Sequence, residues 1–326
     1  MNSTQLINNF LEDFKMKRSF FALFLGLMML SHFACAQKTD TKTTVETKTP
    51  TVETKTYSQM DDAEKLRFIT AKSDEILALF GRTKGDEINA KGLELIKGFL
   101  DGYVMRISKP KLDSCDSTNW LKSDFTSIIM RGSKNAAAIN EEFSAQKLPP
   151  QIGLYTAMIE TEFCPCLGSP TGALGMFQFS DVVGKELGLN TKKNASPTNP
   201  DERCQPKPAA RAAAKYYRTM IDKFFENDAI GFPLAISSYN RGEGNTKKHI
   251  SDVAAISKAP RSSFWVLIET TDALRETFKK SSKTPAYFTQ FEQENIKYVP
   301  KFFAAAIMGE NPKAFGIDML PLSQAK

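Results

Sequence analysis

At 326 residues the chain exceeds the ~100–200 of an average domain, so one large domain with appendages, or a main domain with a smaller unit, is expected. Its 41% hydrophobic and 25% charged content excludes wholesale disorder. The net charge of +6 is spread along the chain rather than gathered in a basic run with interleaved aromatics, which suits attraction to an anionic polymer and gives no reason to expect nucleic acid.

The first 36 residues read as a secretory signal: Met16-Lys17-Arg18, an apolar run from Phe20 to Leu30, then Ala34-Cys35-Ala36. The run is shorter than the ~20 residues that cross a bilayer. Glu12 and Asp13 stand where a signal should be basic, so Met16 is the expected start. Cys35 admits two readings. It is the middle of an Ala-x-Ala cleavage site that leaves Gln37 as the new terminus, or it is the lipid anchor of a lipoprotein; His32 and Phe33 fit lipidation poorly, which favours cleavage. Export to the periplasm is expected under both, with outer-membrane attachment under the second.

Residues 37–57 are Thr, Lys and Glu with almost no large apolar side chain, and Thr44-Val45-Glu46-Thr47-Lys48-Thr49 recurs as Thr51-Val52-Glu53-Thr54-Lys55-Thr56. Such a stretch cannot bury a core and is expected to be a disordered linker. From residue 58 to about 117 the apolar spacing predicts a small helical segment. Leu66, Ile69, Ile76, Leu77 and Phe80 form one amphipathic stripe before Gly81, and Ile88, Leu93, Ile96, Phe99 and Tyr103 form another before Pro110. Residues 118–326 continue in the same manner. Trp120, Phe125, Ile128 and Ile129 lead into an alanine-rich stretch from Asn135 to Phe143, and Leu148-Pro149-Pro150 opens a helix that carries Glu160 and ends near Pro165. Ala209 to Phe225, Pro233 to Tyr239 and Tyr298 to Met308 complete the helices. Alternating β-branched runs are scarce, so the fold class is mainly α, with a short hairpin at most.

Cys115, Cys164, Cys166 and Cys204 would follow the chain into a compartment that permits disulfides. Cys164 and Cys166 are too close to bond each other without strain, so each is directed to Cys115 or Cys204. A zinc site competes weakly, because the pair lacks the usual two-residue spacing, and no metal is expected. His249 is the only imidazole beyond the signal, which excludes multi-histidine metal centres. Its Lys247-Lys248 neighbours predict a solvated side chain.

Four segments carry the chemistry. Glu160-Thr161 ends a helix among Met158, Ile159 and Phe163, a setting that keeps a carboxylic acid protonated. Ser169-Pro170-Thr171-Gly172-Ala173-Leu174-Gly175-Met176-Phe177-Gln178 supplies tight turns and an amide, Tyr239-Asn240 supplies an aromatic with a polar tip, and Glu294-x-x-x-Tyr298-Val299-Pro300 closes the set. A lone carboxylate is far more often a surface group than an acid catalyst. The four together, in this order, resemble the lytic transglycosylases of glycoside hydrolase family 23, relatives of goose-type lysozyme, over residues from about 118 to 312.

That resemblance implies a lysozyme-like helical catalytic domain acting on peptidoglycan without a cofactor, as a monomer. Glu160 would be the catalytic acid and base that cleaves the β-1,4 bond between N-acetylmuramic acid and N-acetylglucosamine and leaves a 1,6-anhydromuramyl end. Ser169, Thr171 and Gln178 would hold substrate, Tyr239 and Asn240 would line the groove, and Glu294 and Tyr298 would support it. Thr161 stands where the family has serine, Met176-Phe177 replaces a Leu-Met or Leu-Trp pair, and Asp181 replaces a common proline. Glu162 and Asp181 keep a hydrolytic muramidase in view, although positions two apart on a helix face different ways, which makes Glu162 structural. A wall-binding protein without activity is the alternative from another class.

Overall fold

The computed structural model describes residues 55–81, 87–224, 231–257, 263–281 and 283–325; the signal, Cys35 and nearly all of the linker lie outside them. Twelve α-helices are labelled in chain order: α1 Asp62–Leu79, α2 Ala90–Ile107, α3 Phe125–Ala145, α4 Pro150–Thr161, α5 Asp181–Glu186, α6 Pro206–Phe224, α7 Gly231–Arg241, α8 Glu243–Ile256, α9 Phe264–Glu269, α10 Thr271–Lys280, α11 Ala286–Gln290 and α12 Ile296–Glu310. A π-turn, Phe291–Asn295, joins α11 to α12. Extended pairing among the described residues is limited to isolated bridges, two of them between Gly168, Leu174 and Phe179. The fold is mainly α.

Helix α4 is the axis of the body. Pro150 occupies its first turn, where a missing N–H costs nothing, and every residue from Gln151 to Ile159 is buried. A helix apolar on all sides must be enclosed, and α3, α6 and α12 pack around it. Helix α12 is equally apolar; a π-turn precedes it, and Pro300 lies inside it, where its ring removes one i→i−4 bond.

Helices α1 and α2 pack on α12, inside the same compact unit as the rest of the described chain. Asp61 caps α1 in a capping box with Glu64, and Asn89 caps α2 while its amide donates to the Trp265 carbonyl at 2.8 Å. Tyr57, assigned by composition to the end of the linker, is buried against Phe68 and Phe315. An aromatic ring at the edge of a polar tract is reason enough for the body to begin there, since burying it gains 1.5–3 kcal/mol, roughly what several polar linker residues cannot.

Helix α4 stops at Thr161 rather than near Pro165. Glu162 and Phe163 both adopt the left-handed conformation, with φ of 52° and 62°. Such backbone costs about 1–3 kcal/mol per non-glycine residue and persists only where neighbours impose it. Here Arg106 on α2 grips the Glu162 carboxylate with two bonds of 2.5 and 2.8 Å, and Arg131 on α3 holds the Glu162 carbonyl at 3.0 Å. The next residue, Cys164, is bonded to Cys115, and Cys166 is bonded to Cys204. Of the open pairings these are the two realised, and the bonds staple both sides of the turn that follows Glu160.

His249 departs from expectation. It is fully buried, edge-on to Phe291, with Nδ1 3.0 Å from the Arg241 guanidinium. Burial and that cation push its pKa down to about 3, so it is a neutral core residue. The two lysines before it point elsewhere because consecutive helical positions are about 100° apart.

Candidate active site

Glu160 sits in the last turn of α4, partly exposed at the base of a cleft of about 510 Å³. Its lining comes from two segments, Leu167, Gly168, Ser169, Pro170 and Gln178 after the acid and Ser117, Thr118 and Trp120 before α3. The Tyr298 hydroxyl, from α12, donates to Glu160 Oε1 at 2.5 Å. Lys301, one turn further along α12, donates to the Ile159 carbonyl at 2.8 Å and so occupies one of the carbonyls that a helix end leaves unpaired.

Burial pushes the Glu160 carboxyl up to about 7, with Glu294 adding to the rise and the Tyr298 hydrogen bond and the Lys301 charge opposing it. Burial in turn lowers the Lys301 pKa, against the pull of Glu162 and Glu160. An acid poised near neutrality can give a proton and take one back at the same pH. Removing the opposing cation in Lys301→Met should shift the Glu160 pKa upward, and the alkaline limb of the kcat/KM profile should move to higher pH with it. A profile that stays in place would show that Lys301 does not act on the acid.

The loop before α5 is built by its glycines. Gly172 and Gly175 have φ of 87° and 86°, and a Cβ on Gly175 would lie 1.8 Å from the Arg203 carbonyl oxygen, itself fixed by a buried Arg203–Asp201 pair. Gly175→Ala should therefore cost about 3 kcal/mol or more, backbone strain and a backbone clash together, read as a lowered thermal midpoint. Ser169 closes the loop through its N–H to the Ala173 carbonyl (2.8 Å) and its hydroxyl, which accepts from the Ala173 N–H (3.0 Å). Thr161 Oγ1 donates to the Met176 carbonyl at 3.0 Å, tying the loop to the turn beside the acid.

The expected site residues separate into three groups. Ser169 and Gln178 share the cleft with Glu160, yet both amide hydrogens of Gln178 are taken by the Leu167 and Gly175 carbonyls at 2.8 Å, so the side chain faces a ligand with its oxygen alone. Thr171 is exposed and hydrogen-bonds Ser169 outside the cleft lining. Tyr239 stacks on Tyr217 with centroids 4.9 Å apart and donates to the Phe177 carbonyl at 2.7 Å, which spends its hydroxyl proton on the loop. Asn240 donates to Glu294 at 2.9 Å and accepts from Asn295 at 3.0 Å; with Tyr298 they join α7 to the π-turn and α12. Lys301, Tyr217 and the wall of Ser117, Thr118 and Trp120 went unassigned in the sequence. A single lysine in the otherwise apolar run Tyr298–Gly309 was the available signal for the first.

Residues 137–261, which contain Glu160, the glycine loop and Tyr239-Asn240, match the family model described as Transglycosylase SLT domain. This stretch is similar to an SLT domain. It is 39% identical over 88 residues to the peptidoglycan transglycosylase gp16 of Escherichia phage T7, a match covering 27% of this chain and 6% of that protein. It is 24% identical over 198 residues to membrane-bound lytic murein transglycosylase D of Escherichia coli strain K12, covering 61% of this chain and 36% of that protein. The chain thus spans well under half the length of these relatives. Beyond the matched SLT domain lie α1, α2, Trp120, Glu294, Tyr298 and Lys301. No described helix is long and apolar enough to cross a membrane.

Proposed function

We propose that the chain is a peptidoglycan lytic transglycosylase in which Glu160 alone carries the proton traffic. The observation that supports it best is a half-buried carboxyl, with a pKa near 7, at the base of an open cleft inside the matched domain. Glu160 donates its proton to the glycosidic oxygen as the C1–O bond of the muramyl residue breaks. The carboxylate then takes the proton of the C6 hydroxyl as that oxygen bonds to C1. The acid returns to its starting state, and no water is consumed.

The remaining site residues support this cycle. Tyr298 orients the carboxyl, Lys301 favours its charged form between the two steps, Ser169 and the Gln178 oxygen receive sugar hydroxyls and N–H groups, Thr171 steadies Ser169 from outside the lining, and Tyr239, Asn240 and Glu294 brace the groove. A muramidase needs a second carboxylate to activate water. Glu162 is a poor candidate, since both of its oxygens are engaged by Arg106. We also propose export on the N-terminal signal, with mature-protein mass spectrometry deciding between Gln37 and a lipidated Cys35 as the first residue.

Digestion of purified sacculi followed by mass spectrometry tests the reading. Anhydromuramyl ends that vanish in Glu160→Gln are expected. Reducing ends would indicate a muramidase, and intact strands that co-sediment with the protein would indicate a binder.

A further inference from the structure

Ser117, Thr118 and Trp120 of the cleft lining belong to the segment 111–123, which lies before the matched residues. This segment is a closed loop and not a loose tail. Leu112 and Asp124 exchange two hydrogen bonds at its base, and Ser114 and Ser123 exchange two more. Asp116 gathers the N–H groups of Thr118 and Asn119 inside it. Cys115 bonds it to Cys164, four residues after Glu160, so the wall is fixed to the same turn that ends the acid's helix.

Trp120 begins a 3₁₀ turn in this loop and lines the cleft beside Glu160 while only half-buried. Its indole N–H has no hydrogen-bond partner among the described residues. A large aromatic face and a free donor in a cleft also lined by hydroxyl and amide groups match the two sides of a pyranose ring, apolar on its axial C–H face and polar at its rim.

We propose that the loop 111–123 is a sugar-binding wall of this cleft, with Trp120 stacking on an N-acetylhexosamine ring and Ser117 and Thr118 meeting its hydroxyls. The inference rests on reading the cleft as a glycan site. It assigns substrate contacts to a segment outside the family match, so glycan specificity would be set in part by what this chain adds to the domain.

The test uses the full chain as Glu160→Gln, titrated with an N-acetylglucosamine tetramer by calorimetry and by tryptophan fluorescence. Trp265, the other tryptophan, is 2% exposed and packed over Gly92, so a ligand-induced spectral change reports on Trp120. Trp120→Ala is expected to weaken tetramer binding about tenfold and Trp120→Phe no more than about threefold, because a ring preserves the stack. On sacculi, with Glu160 restored, Trp120→Ala should raise KM and leave kcat within about threefold. Unchanged tetramer affinity in Trp120→Ala, or an equal loss in the Phe and Ala variants, overturns the proposal. The catalytic reading fails by a different sign, a wild-type protein that leaves sacculi uncut, and the tetramer titration still decides the role of Trp120 in that case.

Discussion

Glu160→Gln should lower the turnover of peptidoglycan by roughly 10²–10⁴-fold while leaving glycan binding intact, since the amide keeps the shape of the acid and lacks the proton. The wild-type kcat/KM should be flat below pH 7 and fall above it, following the acid form of a carboxyl held at about 7 by burial. The same group makes a stability prediction of opposite sense. Its folded-state pKa lies above the ordinary 4.5, so the folded protein binds the proton more tightly, and stability falls as pH rises through the window from 4.5 to 7. Glu160→Gln removes that penalty. The variant should match wild type near pH 4 and exceed it at pH 8 by up to about 3 kcal/mol, measured by denaturant unfolding at both values. Equal stabilities at pH 8 would mean that the carboxylate is well solvated and that the burial assigned to it is wrong.

What could be read from the sequence was what is local in it. The helices around Leu66, Ile96 and Ile128 announced themselves by apolar spacing, and the glycine loop by residues whose φ only glycine adopts without strain. Glu160 could be singled out because apolar neighbours and a fixed motif surround it. The directions of side chains were not. Nothing in Gln178 says that its amide hydrogens are spent on two backbone carbonyls, and nothing in Tyr239 says that its hydroxyl props the Phe177 carbonyl. His249 was misjudged because charged neighbours in sequence are not neighbours in space, and a helix can bury one residue in four amid lysines. Long-range pairs left the least trace. Tyr298 meets Glu160 across 138 positions, and Arg106 meets Glu162 across 56.

That last pair is where the largest stability effect is expected. The side chains of Arg106 and Glu162 are 12% and 2% exposed, and the guanidinium grips the carboxylate in a bidentate fork while its Nε and one terminal nitrogen also hold the Ser123 carbonyl at 2.9 and 2.6 Å. Arg106→Met leaves a carboxylate buried without its partner, a change that costs about 3–5 kcal/mol when one half of a buried ion pair is removed. The thermal midpoint should fall by roughly 5–9 °C. Most of that cost is the orphaned charge and not the lost attraction, so Arg106→Met with Glu162→Leu should recover a large part of the stability. Activity should not return with it. Glu162 is the left-handed residue two positions after the acid, its carboxylate held by Arg106 and its backbone carbonyl by Arg131. Without the fork the strained turn keeps only Arg131 and the disulfides as restraints, and the aim of Glu160 toward the cleft is loosened. A double variant that is both stable and fully active would show that α2 merely covers the site; a stable and slow one would make this helix, which precedes the matched residues, part of the geometry proposed for Glu160.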